Sequence, residues 1–227
     1  MLHSDTPSPL LQPRAFRLGI TGKISSGKTT FSAMCRSHGI SVIDTDELAK
    51  EVMSSDPGIR EALISILGDD AYNGSSLNKK FIAEKIFSDE DVRRSVQDVV
   101  HPAVMHTMES KFQQAPAGSV IAAESALFIQ TGYDTQFDLM VIISSTDENI
   151  IARNRESKKF QEDDLKTRLN EQDYSPEIEE LCDIVIDNNS SMEFFLASCE
   201  KIIGIINMLA QNPLPEQPLR TEENDSE

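Results

Sequence analysis

Three groups of residues in this 227-residue chain have the types and spacing that chemistry requires. The first is the run Gly22-Lys23-Ile24-Ser25-Ser26-Gly27-Lys28-Thr29-Thr30, which contains a G-x-x-x-x-G-K-T pattern directly after an apolar stretch and before a helical one. Placed between a strand and a helix, such a run aims successive backbone N–H groups at phosphate oxygens. Gly22 and Gly27 let the backbone curl, the Lys28 ammonium reaches β- and γ-phosphates, and the Thr29 hydroxyl can ligate Mg²⁺. The second group is Asp44-Thr45-Asp46, at the end of the apolar run 39–43. If the backbone is still extended there, both carboxylates lie on one side. A carboxylate at the C-terminal edge of a parallel strand, beside a phosphate loop, can take a proton from a substrate hydroxyl or hold Mg²⁺. Asp46 also precedes the amphipathic segment 47–53, so helix capping competes with chemistry; the phosphate loop upstream tips Asp46 toward function. The third group is basic. Lys79, Lys80, Arg93 and Arg94 could hold a diphosphate, although a solvated helix face is the simpler account.

Positioning these groups takes an α/β frame. Short β-branched runs at 15–20, 41–43, 119–123, 139–144 and 184–186 alternate with amphipathic segments. That alternation predicts parallel strands joined by helical crossovers. Residues 57–112 carry helical patterns and no convincing buried strand, which predicts a helical insertion between the second and third strands. In the segment 192–210, Phe195, Cys199, Ile202, Ile206 and Leu209 recur at steps of three and four, a core-facing stripe. Residues 1–14 and 212–227 read as tails, rich in proline at both ends and acidic at the second. The single domain is expected over 15–211.

Composition excludes several classes. The formal net charge of −17 disfavours a nucleic-acid or anionic-membrane surface, because phosphate backbones need a basic footprint. A small anion held in a local basic pocket remains compatible. Cys35, Cys182 and Cys199 are odd in number and lack metal-ligand spacing, which favours a reducing compartment. No apolar run reaches membrane length, and the N-terminus lacks the basic start and apolar stretch of a signal peptide. The expected location is the cytoplasm. No feature of the sequence sets an oligomeric state.

Past Asp46 the pattern becomes specific. The glycine-rich loop and then Gly39…Ile43-Asp44-Thr45-Asp46-Glu47-Leu48-Ala49-Lys50 resemble the opening of the dephospho-coenzyme A kinases. Leu77-Asn78-Lys79…Ile86-Phe87-Ser88-Asp89, His101-Pro102, Ser125-Ala126-Leu127-Phe128…Gly132, Arg168…Gln172 and Asp183…Ile186-Asp187-Asn188 resemble that family's later blocks, in the same order. The resemblance implies a P-loop kinase fold: a five-stranded parallel sheet flanked by helices, a helical substrate region at about 47–114 and a lid at about 153–172. It implies transfer of the ATP γ-phosphate to the ribose 3′-hydroxyl of dephospho-coenzyme A, with ATP and Mg²⁺ as the cofactors. Asp46 falls on the carboxylate that activates the hydroxyl, Lys28 on the phosphate-loop lysine, and Arg153 on a lid arginine that neutralises phosphoryl charge. Asp44, Asp46, Lys50, Lys79 and His101 are the implied substrate contacts, and residues 22–30 the ATP contacts.

The chain departs from that pattern at named positions. Lys23 and Ser25 stand where the family commonly has glycine, and Lys50 replaces an arginine. Ser125 and Ile129 replace the proline and glutamate of a Pro-Leu-Leu-Phe-Glu block, with Glu124 as a nearby acid. Ser157 stands where a second lid arginine belongs, with Arg155, Lys158 and Lys159 close by. Two other readings therefore stay open: a kinase for another small molecule or nucleoside, since fold does not fix the acceptor, and a nucleotide-binding protein with little catalysis.

Overall fold

A computed structural model describes residues 14–158, 160–172, 174 and 176–211. The expected tails lie outside the described residues, except Arg14. That residue belongs to the body, where its guanidinium makes a two-pronged contact with the Asp138 carboxylate.

Strand β1 (Phe16–Thr21) leads through helix α1 (Lys28–Ser37) to β2 (Ser41–Asp44). Four helices follow: α2 (Thr45–Ser55), α3 (Pro57–Leu67), α4 (Lys79–Ser88) and α5 (Glu90–Gln114). Between α3 and α4 lies a short antiparallel hairpin, β3 (Tyr72–Asn73) and β4 (Ser76–Leu77), which the hydropathy pattern does not reveal. The chain returns to the sheet as β5 (Val120–Glu124) and β6 (Leu139–Ser144). Helices α6 (Asp147–Ser157), α7 (Glu162–Glu171) and α8 (Pro176–Glu180) precede β7 (Ile184–Asp187), and α9 (Met192–Gln211) ends the described chain. The five-stranded sheet has the order β2-β5-β1-β6-β7, every pairing parallel. The five expected strands are therefore present, each within a residue of its expected bounds.

Helix starts are written locally. Asp44, Asp56, Asn78, Asp89 and Thr146 each accept a first-turn backbone N–H with the side chain, and Pro57 opens α3 where no N–H is needed. The two faces of the sheet are covered differently. On one, Leu18, Ile20, Phe31, Val141 and Ile143 pack with the α9 stripe of Phe195, Cys199, Ile203 and Ile206. On the other, α5 presents Val96, Val100, Val104, Met108 and Phe112 at four-residue steps, and these bind the insertion to Ala123, Phe128 and Met140. A third, small cluster of Ile150, Leu165 and Leu169 joins α6 to α7, and Ile24 of the phosphate loop packs against it. Among the described residues, no helix is long and apolar enough to cross a membrane.

His38 closes α1, as its place before Gly39 suggests. Its Nδ1 lies 2.9 Å from the Met34 carbonyl and its Nε2 2.8 Å from the Glu200 carboxylate on α9. The Met34 carbonyl first, then Glu200, raise its pKa above the ordinary 6.5.

Two outcomes are expected. Met108, fully buried, anchors the insertion to the sheet, so Met108→Ala should cost about 2–5 kcal/mol in denaturant unfolding. The His38 contribution is complete below the ordinary histidine pKa and is lost as pH rises through the raised folded value. The melting temperature should therefore fall further between about pH 5.5 and about pH 8 for the wild type than for His38→Gln; equal falls would remove this role.

Candidate active site

The phosphate loop sits at the C-terminal end of β1, with β5 on one side and β6 on the other. Its glycines are sterically required. Gly22 has φ 141° and Gly27 has φ 121°. A Cβ on Gly22 would lie 2.6 Å from the Ile143 carbonyl, and one on Gly27 2.6 Å from Asn188 Nδ2. Ser25 occupies the left-handed region at φ 57°, a conformation that costs a non-glycine residue about 1–2 kcal/mol.

Side chains from distant elements hold the loop. Asn188, buried after β7, donates Nδ2 to the Ser26 carbonyl at 2.6 Å. Gln172 Oε1 accepts the Ile24 N–H at 2.7 Å. The Tyr174 hydroxyl accepts the Gly22 N–H at 2.9 Å and donates to the Ala126 carbonyl at 2.9 Å. With that proton used, the Thr21 hydroxyl, 3.0 Å away, is the donor to Tyr174. Burial pushes the Tyr174 phenol up to about 12, so it stays neutral throughout the working range. Lys23 neither enters the phosphate space as an isolated cation nor points to solvent: its ammonium pairs with Asp147 of α6 at 2.7 Å. Lys28 Nζ folds over the loop onto the Gly22 and Lys23 carbonyls, at 2.8 and 2.9 Å.

The acidic pair resolves differently from an extended strand. Helix α2 begins at Thr45, so Asp44 is the cap, its Oδ1 accepting the N–H groups of Asp46 and Glu47. Capping falls to Asp44, and the Asp46 carboxylate makes no hydrogen bond among the described residues. It is exposed in the first turn of α2. In register, Asp44 pairs with Glu124, and Glu124 with Ile20. The Glu124 side chain, 8% exposed, thus ends the strand between β2 and β1. Thr29 Oγ1 lies 3.4 Å from its Oε1, and the Thr45 hydroxyl donates to its backbone carbonyl at 2.9 Å. Ile129 packs into the core beside α5.

The basic candidates divide. Lys50 pairs with Glu47 at 2.6 Å, and its pKa is raised first by that bond, with Asp46 and Asp44 adding to it. Lys50, then Lys79 from the start of α4, hold the Glu47 carboxyl below its usual range. Asp44, Asp46, Lys50 and Lys79 therefore gather at one end of the sheet. His101 lies within α5, half-buried; burial pushes its pKa down against the opposing pull of Asp98, and it makes no hydrogen bond among the described residues. Arg153 is tied to the Asn188 carbonyl at 2.8 Å and the Ser145 hydroxyl at 2.6 Å. Arg155 is bidentate to Glu162, Lys158 caps α6 in a left-handed conformation, and Lys159 lies outside the described residues. Arg168 stands between the rings of Phe87 and Phe160, 5.3 and 5.7 Å from their centroids, so the insertion and the α6–α7 pair meet there.

Gln172 and Tyr174 are the loop contacts that pattern reading missed as such. Gln172 lies in a matched block without a role, and a lone tyrosine between Asp173 and Ser175 carries no signal at all. Among the described residues, no group of three or more His, Cys, Asp or Glu side chains could hold a metal. A magnesium ion bound largely by phosphates and water needs only one or two protein oxygens, so that absence is compatible with phosphoryl transfer.

These features have relatives. A dephospho-CoA kinase of Corynebacterium efficiens is 28% identical over 193 residues, covering 84% of this chain and 96% of its own. The enzyme of that name from Syntrophotalea carbinolica is 30% identical over 179 residues, covering 78% of this chain and 85% of its own. Among solved structures, TT1252 from Thermus thermophilus superposes with a TM-score of 0.71 over 85% of this chain and 98% of its own, at 23% identity. A dephospho-CoA kinase from Campylobacter jejuni gives 0.63 over 85% and 97%, at 22% identity, and both share the fold. The dephospho-CoA kinase family profile matches residues 16–193. With that profile spanning most of its length, the chain belongs to the dephospho-CoA kinase family.

Proposed function

We propose that this chain transfers the γ-phosphoryl group of ATP to the ribose 3′-hydroxyl of dephospho-coenzyme A, yielding coenzyme A and ADP, and that it works in the cytoplasm. The observation that carries the mechanism is the exposed Asp46 carboxylate, without a hydrogen bond among the described residues, in the first turn of α2 just past β2, a strand that lies two strands from the phosphate-loop strand.

In this reading Asp46 takes the proton of the 3′-hydroxyl as its oxygen bonds to the γ-phosphorus. The bond to the β–γ bridging oxygen breaks, and that oxygen leaves with ADP. The loop amides and the Lys28 ammonium hold the phosphates, Lys28 exchanging its two carbonyl partners for phosphate oxygens. Thr29 offers a hard hydroxyl oxygen of the kind that Mg²⁺ takes, and the ion, when bound with ATP, neutralises charge on the β- and γ-oxygens. Lys50 and Lys79, beside the acids, suit the anionic groups of the substrate. Arg153 stabilises phosphoryl charge only by leaving the Asn188 carbonyl and the Ser145 hydroxyl, so its role depends on movement of α6. His101, half-buried and shifted toward the neutral imidazole, serves as a packing and hydrogen-bonding group toward substrate.

The test is ADP release from ATP and Mg²⁺ with dephospho-coenzyme A, beside adenosine and other nucleosides. Turnover is expected with dephospho-coenzyme A alone; equal turnover on a nucleoside overturns the assignment. Asp46→Asn should lower kcat by about 10²–10⁴-fold and leave ATP affinity largely unchanged. Tight ATP binding with no turnover on any acceptor would make the chain a nucleotide-binding protein on a kinase fold.

A further inference from the structure

Lys23 is a cation on the phosphate loop whose side chain the chemistry above leaves without a role. Its ammonium sits 2.7 Å from Asp147 Oδ1, with its side chain 23% exposed and that of Asp147 44%. The pair crosses from the loop to the first turn of α6. Two features make it easy to break. An ion pair this open to water gains little over the separated, hydrated groups. The Asp147 carboxylate also has a second source of stabilisation in the N-terminal turn of α6, which favours an anion there with or without Lys23. The phosphate space, meanwhile, is close. The Lys28 ammonium lies 2.9 Å from the carbonyl oxygen of Lys23 itself, and hence within roughly 5 Å of the Lys23 Cα. An extended lysine stem spans about 6 Å, so an oxygen held by Lys28 is within reach of Lys23 as well.

We infer that nucleotide binding draws the Lys23 ammonium from Asp147 onto a phosphate oxygen, which makes Lys23 a second phosphate-holding cation beside Lys28. The inference rests on the kinase reading and adds a residue to that site. Charge favours the exchange: the oxygens of a triphosphate share several negative charges against one on the carboxylate, and the loop amides hold them in place. The move needs only a new rotamer of a flexible stem. It also has a consequence for α6. With Lys23 withdrawn from Asp147, one tie between the loop and that helix is gone, and α6 is the helix whose movement Arg153 requires. The competing account is a plain tether, in which the ion pair itself is the useful contact and Lys23 never meets the nucleotide.

Titration calorimetry of ATP with excess Mg²⁺ on the full chain separates the two accounts, because the exchange sets the two partners against each other. Lys23→Met should weaken ATP binding about tenfold or more, through loss of a charge-assisted bond, and Lys23→Arg should keep most of the affinity. Asp147→Asn should tighten ATP about two- to fivefold, since Lys23 then has no partner to leave. That tightening should shrink in the Lys23→Met background, where no ammonium is released. Should Lys23→Met fail to fold, Lys23→Gln takes its place in the cycle. A tether predicts that Lys23→Met and Asp147→Asn weaken ATP alike, and that result overturns the inference. So does wild-type affinity in Lys23→Met, or equal tightening by Asp147→Asn in both backgrounds, which is the mere removal of a negative charge. A wild type that binds no ATP overturns the kinase reading itself.

Discussion

A loop that offers most of its N–H groups to a ligand can spend few of them on its own backbone, here the Ser26 N–H on the Lys23 carbonyl. Much of its shape therefore has to be held from outside. In this chain the holding is done by side chains from four places: Asn188 after β7, Gln172 and Tyr174 after α7, Asp147 at the start of α6, and Thr21 at the end of β1. None is near the loop in sequence except Thr21. They meet because β1 is central and β6 and β7 extend the sheet on one side of it. The strand order is therefore what gives the loop its conformation, and the left-handed Ser25 persists because these contacts over-determine the backbone around it.

The same contacts couple the loop to α6 and α7. Ile24 packs against the α6–α7 cluster, and its N–H is bonded to Gln172 just past α7. A phosphate oxygen competing for that N–H replaces a neutral amide acceptor with a charged one, and charge-assisted hydrogen bonds are roughly twice as strong. Binding at the loop thus weakens the hold on the segment that carries Gln172 and Tyr174. Arg168, near the rings of Phe87 and Phe160, also brings the same helices into contact with the insertion.

How much of this was legible in the sequence follows from the range of each interaction. Strands such as β6, a run of Leu139-Met-Val-Ile-Ile-Ser144, and the α9 stripe are local patterns of burial, and they sit where periodicity puts them. The glycines and Lys28 were legible because a phosphate loop is itself a local structure. Asp44 and Asp46 were legible as a pair, but assigning the cap needed the residue at which the helix begins, and a two-residue difference exchanges their roles. Lys23 could not be read at all: its partner Asp147 is 124 positions away. Tyr174 is the same case, since its meaning lies in which backbone N–H the fold brings to it; Glu124 was legible as a nearby acid, but its contact with the Thr29 hydroxyl was not. The two-residue strands β3 and β4 are too short to carry alternation.

A chain of net −17 can still take a nucleotide, because what binds phosphate is local. The cations near the loop are mostly spent: Lys23 on Asp147, Arg155 on Glu162, Lys50 on Glu47. Lys28 folds onto the carbonyls of its own loop, while Asp44 and Glu124 end the strands β2 and β5 and Asp46 sits in the first turn of α2. Free ATP entering that space would bring its own negative charge against three carboxylates. The same nucleotide with a divalent cation on its β- and γ-oxygens brings much less, and it brings a positive centre to the side where the acids are. On the kinase reading proposed above, acids at these positions favour the nucleotide that carries its cation, so the overall charge of the chain says little about its ligand.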